Sequence, residues 1–134
     1  MRPGLVLLAV AAAAVAGVGC SSAERAPDAA GVAERFHAAL EDGDGETACR
    51  QIAPEAQSNL EQQEHRPCKE AILELEVPKG ATAGETSVYV TTASVSLAQG
   101  GRTFLDEFDD GWKVSAAGCV TTAPDRPYDC ELEG

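Results

Sequence analysis

The sequence predicts an α+β domain in which short helices pack against one antiparallel sheet. Between residues 29 and 75 the apolar residues recur every three or four positions, as on one face of a helix. After the glycine-containing stretch 80–84 they alternate with polar residues, and Gly-containing turns separate the alternating segments. Helices that precede hairpin-linked strands indicate an α+β arrangement, with the helices on one face of a curved sheet of about four strands.

The first nineteen residues have the three parts of a secretory signal peptide. Arg2 supplies a positive start, residues 5–15 form an apolar run, and small residues follow up to Cys20. The apolar run falls short of the ~20 residues with which a helix spans a bilayer. Export with removal of this leader is therefore expected rather than retention as a transmembrane segment.

Cys20 stands directly after this leader. The segment Gly17-Val18-Gly19-Cys20 resembles the lipobox of bacterial lipoproteins, with Gly17 where Leu is usual. The resemblance implies that Cys20 is diacylated and becomes the mature N-terminus on the outer face of the cytoplasmic membrane. Two acyl chains give stable attachment, since each buried methylene contributes about 0.8 kcal/mol. Ordinary signal cleavage that leaves Cys20 unmodified is the alternative.

The mature chain is predicted to consist of a tether and one domain. Residues 20–30 are small and polar, contain Pro27, and predict a flexible tether, so residues 31–134 form a single α+β domain. Asp28 is the expected N-cap of the first helix, which ends at Gly43. The apolar stripe of this helix consists of Val32, Phe36, Ala39 and Leu40.

Three shorter helices are predicted next. Asp44 is the expected N-cap of the second, and Pro54 ends it and opens the third, which extends to about Gln63. Pro67 opens a fourth helical segment in which Cys68, Ile72, Leu73 and Leu75 face inward.

Strands are predicted around residues 88–90, 95–97, 103–108 and 112–117, which are rich in β-branched and aromatic residues. Residues 99–101 and 109–111 contain Gly and predict hairpin turns. In the last strand, Trp112, Val114 and Ala116 are expected to share one face because side chains alternate along a strand.

Four cysteines remain besides Cys20, an even number that fits a disulfide framework in an exported domain. They allow three pairings, and proximity along the chain favours Cys49 with Cys68 and Cys119 with Cys130. Zinc binding is the competing interpretation, but it lacks a C-x-x-C spacing. No metal or other cofactor is predicted.

The C-terminal part resembles a known group of proteins. The segments GWKVSAAGC (111–119) and PYDCELEG (127–134) are similar to the end of a family of small exported actinobacterial lipoproteins, as are residues 48–49 and 68–70. The order of helices and hairpin strands resembles the cystatin-like, NTF2-like fold. The resemblance implies a fold and a location but no catalytic residue, because NTF2-like proteins include both enzymes and binding modules.

The net charge of the chain limits the kinds of partner that it is expected to bind. The chain has 22 acidic residues against 10 basic ones, with a formal net charge of −12. Nucleic acid is excluded as an expected partner because phosphate backbones are bound by clustered Lys and Arg. Attachment to the membrane is expected from the lipid anchor rather than from surface charge.

Two residues are candidates for chemistry. Asp106 lies between Phe104 and Phe108 on one side of its strand, and in an apolar pocket it would be a candidate general base. His37, on the first helix, is expected to border the same pocket. The alternative is that Leu105 faces the core, that Asp106 lies at a sheet edge, and that His37 is a packed residue.

Two functions remain open. The leading hypothesis is a non-enzymatic binding or accessory module of the cell envelope, held by its lipid anchor near an envelope protein. The alternative is a small-ligand-binding protein or enzyme of the NTF2-like type, with a pocket around Asp106 and His37. An open apolar pocket containing both residues supports this alternative, whereas a filled space between helices and sheet supports the module.

Overall fold

Helices precede strands in this structure, a computed structural model that describes residues 22–134. The predictions for the leader and for Cys20 lie outside the described residues. The elements are α1 (Ser22–Glu41), α2 (Gly45–Gln51), α3 (Pro54–Glu64), α4 (Cys68–Ala71), a 3₁₀ turn (Ile72–Glu74), β1 (Ala83–Tyr89), β2 (Thr92–Leu97), β3 (Arg102–Phe108), β4 (Gly111–Cys119) and β5 (Leu132–Glu133). The strands form one antiparallel sheet in the order β1-β2-β3-β4-β5, which confirms the α+β class.

Helix α1 packs its predicted apolar stripe against the sheet. Val32, Phe36, Ala39 and Leu40 are all buried, and the helix lies against β1 and β4. Helices α2 and α3 lie against β4, and α4 packs on α2 and α3, so that Ala48 of α2 and Ile72 of the 3₁₀ turn are buried. The interior between the helical layer and the sheet is therefore filled by side chains from both.

The beginning of α1 differs from the prediction. The helix starts at Ser22, six residues before the predicted N-cap Asp28, so residues 22–30 are helical where a flexible tether was expected. Pro27 lies inside the helix and removes one backbone hydrogen bond. The helical form persists because Arg25 is bound to two partners from the sheet region, a tertiary contact that local sequence does not indicate.

Helices α2 to α4 begin where their capping residues predict. The Asp44 side chain accepts a hydrogen bond from the Thr47 backbone N–H at 3.0 Å, and Pro54 is the first residue of α3. Helix α3 ends with His65 in the left-handed conformation, and Pro67 precedes α4.

The sheet buries alternate residues of its central strands. Ala93, Val95 and Leu97 of β2 and Thr103 and Leu105 of β3 are buried against the helices. Val90, predicted on the first strand, lies instead in the β1–β2 turn with a φ of 54° and is exposed.

Strand β4 contains two irregularities that change which residues face the core. Leu105 pairs with Val114, but Phe104 pairs with Ala116, so one extra residue is inserted in β4 at this point. A second is inserted before Cys119, which pairs with Arg102. Ala117 is consequently buried while Ala116 is only partly buried, which corrects the prediction that Trp112, Val114 and Ala116 share the inner face.

The sheet has five strands rather than about four. Leu132 and Glu133 form a short fifth strand that pairs with Ala117 and Ala116 of β4, and Leu132 is buried. This strand is not among the predicted ones, because a two-residue strand has no periodicity to detect. No helix within residues 22–134 has the length and apolar character needed to cross a membrane.

Candidate functional site

His37 lies in the interior between α1 and the sheet, with no solvent exposure. Its Nδ1 is 2.6 Å from the carbonyl oxygen of Pro78, and its Nε2 is 2.8 Å from the hydroxyl oxygen of Thr103 on β3. Because a carbonyl only accepts, we assign the proton to Nδ1, and the Thr103 hydroxyl then donates to Nε2. Both ring nitrogens are occupied in joining the helix to the sheet.

The environment of His37 favours a neutral imidazole. Burial lowers the pKa of His37 below its ordinary value of 6.5, and this outweighs the opposing effect of the hydrogen bond to Pro78. A general acid or base must reach a proton of its substrate, directly or through one water molecule. His37 is enclosed and its nitrogens are engaged, so it has the environment of a structural histidine.

Asp106 lies on the opposite face of the sheet. Along β3, Thr103 and Leu105 are buried against the helices, whereas Phe104 and Asp106 alternate with them and point away. His37 contacts Thr103 from the helical side, so the structure does not bring Asp106 and His37 together. The pocket predicted around this pair is not formed, because Leu105 rather than Asp106 faces the core.

The outer face of the sheet carries a shallow hollow beside Asp106. Its volume is about 360 Å³, and its border includes Tyr89 and Phe104. Tyr89 is 80% exposed, and the Phe104 ring contacts the Tyr128 ring edge to face with centroids 5.2 Å apart. Asp106 thus lies at an open, partly aromatic surface and not in an enclosed site.

A larger cleft lies between α1 and the β3–β4 hairpin, with a volume of about 560 Å³. One wall is a stripe of α1 residues at helical spacing, which includes Arg25, Asp28, Val32 and Arg35. The opposite wall comes from the end of α2 and from the hairpin, and its main side chains are Arg50, Glu107, Trp112 and Lys113. This volume falls within the range of about 300–1,000 Å³ that is typical of small-ligand sites.

Arg25 connects the two walls of this cleft. Its Nη1 is 2.5 Å from Glu107 Oε2, its Nη2 donates to the Val90 carbonyl oxygen at 2.6 Å, and its guanidinium carbon lies 5.8 Å from the centroid of the Trp112 ring. Arg25 Nε is the one buried side-chain nitrogen or oxygen without a hydrogen-bond partner within residues 22–134. A buried donor of this kind calls for a water or ligand acceptor.

The cleft is lined by several basic side chains, although the protein as a whole is acidic. Four of the ten Lys and Arg residues of the chain line it, together with three carboxylates. Lys113 Nζ donates to the Arg50 carbonyl oxygen at 3.1 Å and lies 3.4 Å from Asp110 Oδ2, while Arg50 pairs with Glu46 at 3.2 Å. Arg35 forms no hydrogen bond or ion pair with any described residue.

Sequence reasoning missed this cleft, although part of its signal was present. Positions 25, 28, 32 and 35 share one face of a helix, and the face has an arginine at each end. Because residues 20–30 were assigned to a tether, Arg25 was not placed on that face. Hairpin residues such as Lys113 join the site only through the tertiary fold.

Both predicted disulfides are confirmed. Cys49–Cys68 joins α2 to α4, and Cys119–Cys130 joins the end of β4 to the C-terminal segment. Within residues 22–134 no group of three or more His, Cys, Asp or Glu side chains has the arrangement of a metal site. The four cysteines of the domain are thus engaged in its covalent framework.

Comparison with protein families, with curated proteins and with solved structures finds no significant match to this chain.

Proposed function

We propose that this chain is a lipid-anchored binding module on the outer face of the cytoplasmic membrane and has no catalytic activity of its own. The observation that carries the proposal is the filled space between helices and sheet. His37, the buried titratable residue there, has both ring nitrogens engaged by Pro78 and Thr103. A module with a packed interior interacts through its surface, and the cleft beside α1 and the outer sheet face are available for this.

The location outside the membrane rests on the leader and on the disulfides. Disulfides persist in oxidising compartments and are rare in the cytosol, and the domain has two of them. Cys20 precedes Ser22, the first residue of α1, by two positions. Acylation of Cys20 therefore holds the domain close to the membrane, with α1 beginning almost at the anchor.

We also infer that the fold is of the cystatin-like, NTF2-like type. The support for this assignment is one long helix, α1, laid against the inner face of an antiparallel sheet built from consecutive hairpins. The short helices α2 and α3 follow α1 and contact β4, and α4 packs on these two helices.

The anchor is tested by intact-mass measurement of the full chain produced in bacteria with its own leader. A mature protein that starts at Cys20, carries the added mass of diacylglycerol and sediments with membranes is expected. Cys20→Ser, which keeps the leader but removes the thiol, is expected to lack that mass. Release of wild-type chain with an unmodified N-terminus would contradict lipid anchoring.

The binding role is tested by crosslinking in cells, followed by mass spectrometry of the captured proteins. One dominant envelope protein is expected with the wild-type chain, and much less of it with Cys20→Ser, which is not held at the membrane. Equal capture of many unrelated proteins by both forms would argue against a specific accessory module.

A further inference from the structure

The cleft between α1 and the β3–β4 hairpin has hydrogen-bond donors that the protein itself leaves unused. Arg35 forms no hydrogen bond or ion pair with any described residue, and Arg25 Nε is buried without an acceptor. The Arg35 side chain runs back along α1 towards Gly31. A Cβ added at Gly31 would lie 3.4 Å from Arg35 Nη1. Gly31 thus leaves the middle of this wall open, with the guanidinium of Arg35 beside the opening.

The remaining cations of the cleft have protein partners at largely exposed positions. Besides their carboxylate partners, Arg50 Nη2 donates to the Thr47 hydroxyl at 2.7 Å and Lys113 Nζ donates to the Arg50 carbonyl oxygen at 3.1 Å. The side chains of Arg50 and Glu46 are 59% and 79% exposed, and Asp110, the partner of Lys113, is 72% exposed. Exposed pairs of this kind contribute little to stability, so an incoming anion can replace their carboxylates at little cost. Glu107, in contrast, is held by Arg25 and is already neutralised by that ion pair.

We propose that this cleft binds the phosphate group of a ligand. Phosphate has acceptor oxygens on several sides, which suits a site with Arg35 on one wall and Arg50 and Lys113 on the other. Arginine is well matched to such groups because its planar guanidinium donates two parallel hydrogen bonds. The cleft has four cationic side chains against three carboxylates, so its own net charge is positive in a chain of net charge −12.

The phosphate comes either from a phospholipid headgroup or from a soluble phosphate compound. Arg25 lies five positions after Cys20, so their Cα atoms are at most about 18 Å apart even in a fully extended chain. The cleft of an acylated protein is therefore within reach of the headgroups. This inference deepens the proposed binding role and rests on it for its biological setting, but the binding of phosphate itself requires neither acylation nor an envelope partner.

The test is calorimetric titration of the full chain, purified from membranes in nonionic detergent, with inorganic phosphate at constant ionic strength. Trp112 is the one tryptophan of the chain and lines the cleft, so its fluorescence reports binding locally. Saturable binding with a parallel change in Trp112 fluorescence is expected. Arg35→Gln should weaken binding at least about tenfold, because a charge-assisted hydrogen bond is lost.

Two further variants separate a built site from general attraction of anions. Arg126→Gln removes the same charge from an exposed position outside the cleft and should bind phosphate like the wild type. Gly31→Leu keeps the charge but fills the opening beside Arg35, and it should weaken binding as Arg35→Gln does. The proposal is overturned if phosphate up to about 10 mM gives neither heat nor a fluorescence change. Equal loss in Arg35→Gln and Arg126→Gln overturns it as well.

The source of the phosphate is distinguished with the acylated protein in vesicles. Phosphatidylglycerol vesicles are compared with phosphate-free galactolipid vesicles that oleate makes equally anionic. If headgroups occupy the cleft, free phosphate binds more weakly in phosphatidylglycerol vesicles because it must compete. Equal affinity in both vesicles assigns the cleft to a soluble phosphate compound. Failure of acylation or of partner capture would remove the proposed function while leaving the phosphate titration unaffected.

Discussion

The Nδ1 atom of His37 lies 2.6 Å from the carbonyl oxygen of Pro78, in the loop that leads from the helices to β1. On the other side of the ring, Nε2 accepts from Thr103 on β3 at 2.8 Å. One buried imidazole therefore ties together α1, the helix-to-sheet connection and the middle of the sheet. Burial lowers the pKa of His37 and so favours the neutral ring, in which Nδ1 donates to Pro78 and Nε2 accepts from the Thr103 hydroxyl.

Stability is expected to decrease as the pH falls below about 6.5. The folded-state pKa of His37 is lower than its ordinary value of 6.5, chiefly because of burial. The unfolded chain consequently takes up a proton first, which lowers the free energy of unfolding until the pH passes below the folded-state pKa, where the decrease stops. Urea denaturation at pH values from about 7.5 to 5.5 measures this slope, over a range in which histidine is the side chain expected to titrate.

Two histidine variants test whether His37 causes this dependence of stability on pH. His37→Gln should lose most of the pH dependence and also about 1–3 kcal/mol of stability at neutral pH, since Pro78 and Thr103 are left with poorer partners. His65→Gln replaces an exposed histidine after α3 and should retain the wild-type slope. An unchanged slope in His37→Gln would show that this linkage is wrong.

The extension of α1 should depend on Arg25. Its side chain bonds Glu107 and the Val90 carbonyl oxygen and lies over Trp112, so Arg25→Ala is expected to reduce stability by about 1–2 kcal/mol. Arg25→Lys should restore only part of this, because an ammonium lacks the guanidinium fork that spans both partners.

Hydrogen exchange gives the sharper readout of this prediction. The backbone amides of residues 22–28 should lose protection in Arg25→Ala while those in the C-terminal half of α1 keep theirs. Arg66→Ala, which removes an exposed ion pair with Glu64, is the control and should leave both regions unchanged. Retained protection at residues 22–28 without Arg25 would mean that local propensity alone supports the extension.

Much of the fold was predictable because local signals decide it. Capping by Asp44, the proline that opens α3 and the change from helical to alternating periodicity all correspond to the observed elements. The pairings Cys49–Cys68 and Cys119–Cys130 were predictable from proximity because each closes a short loop inside one half of the fold.

The remaining features depend on contacts between distant segments. The extra residue in β4 shifts Ala117 into the core, and simple alternation cannot reveal such a bulge. Because side chains alternate along β3, the sequence allowed either Asp106 or Leu105 to face the core. In the structure Leu105 is the buried one. The cleft combines α1 with a hairpin some eighty residues later, as in the pair Arg25–Glu107, so a local pattern could indicate its α1 wall but not the complete cleft.

Removal of the Cys49–Cys68 disulfide should loosen the helical half of the protein. The bridge spans 19 residues, and loop-closure entropy gives a stabilisation of about 3 kcal/mol for a loop of this length. The double substitution Cys49→Ala/Cys68→Ala is therefore expected to lower the urea midpoint substantially and to reduce amide protection first in α2 and α4. Loss of protection confined to the sheet would contradict the role of this bridge.

Peptide mapping without reduction should link Cys49 to Cys68 and Cys119 to Cys130.

Two glycine substitutions on neighbouring helices are expected to have opposite effects on stability. Gly45, the first residue of α2, is so close to α4 that an added Cβ would lie 1.9 Å from the Lys69 carbonyl oxygen. The Lys69 backbone is held in place next to the Cys68 disulfide, so Gly45→Ala should cost about 1–3 kcal/mol or more through overpacking.

Gly31, in the interior of α1, offers the opposite case. An added Cβ there meets only the flexible end of Arg35, at 3.4 Å. Gly31→Ala should therefore stabilise the protein by about 0.5–1 kcal/mol, the usual gain from replacing glycine within a helix. Urea denaturation of both variants measures the difference. If Gly45→Ala were as stable as the wild type, α2 and α4 would not be in direct backbone contact, and the packing around the Cys49–Cys68 bridge would have to differ from that described.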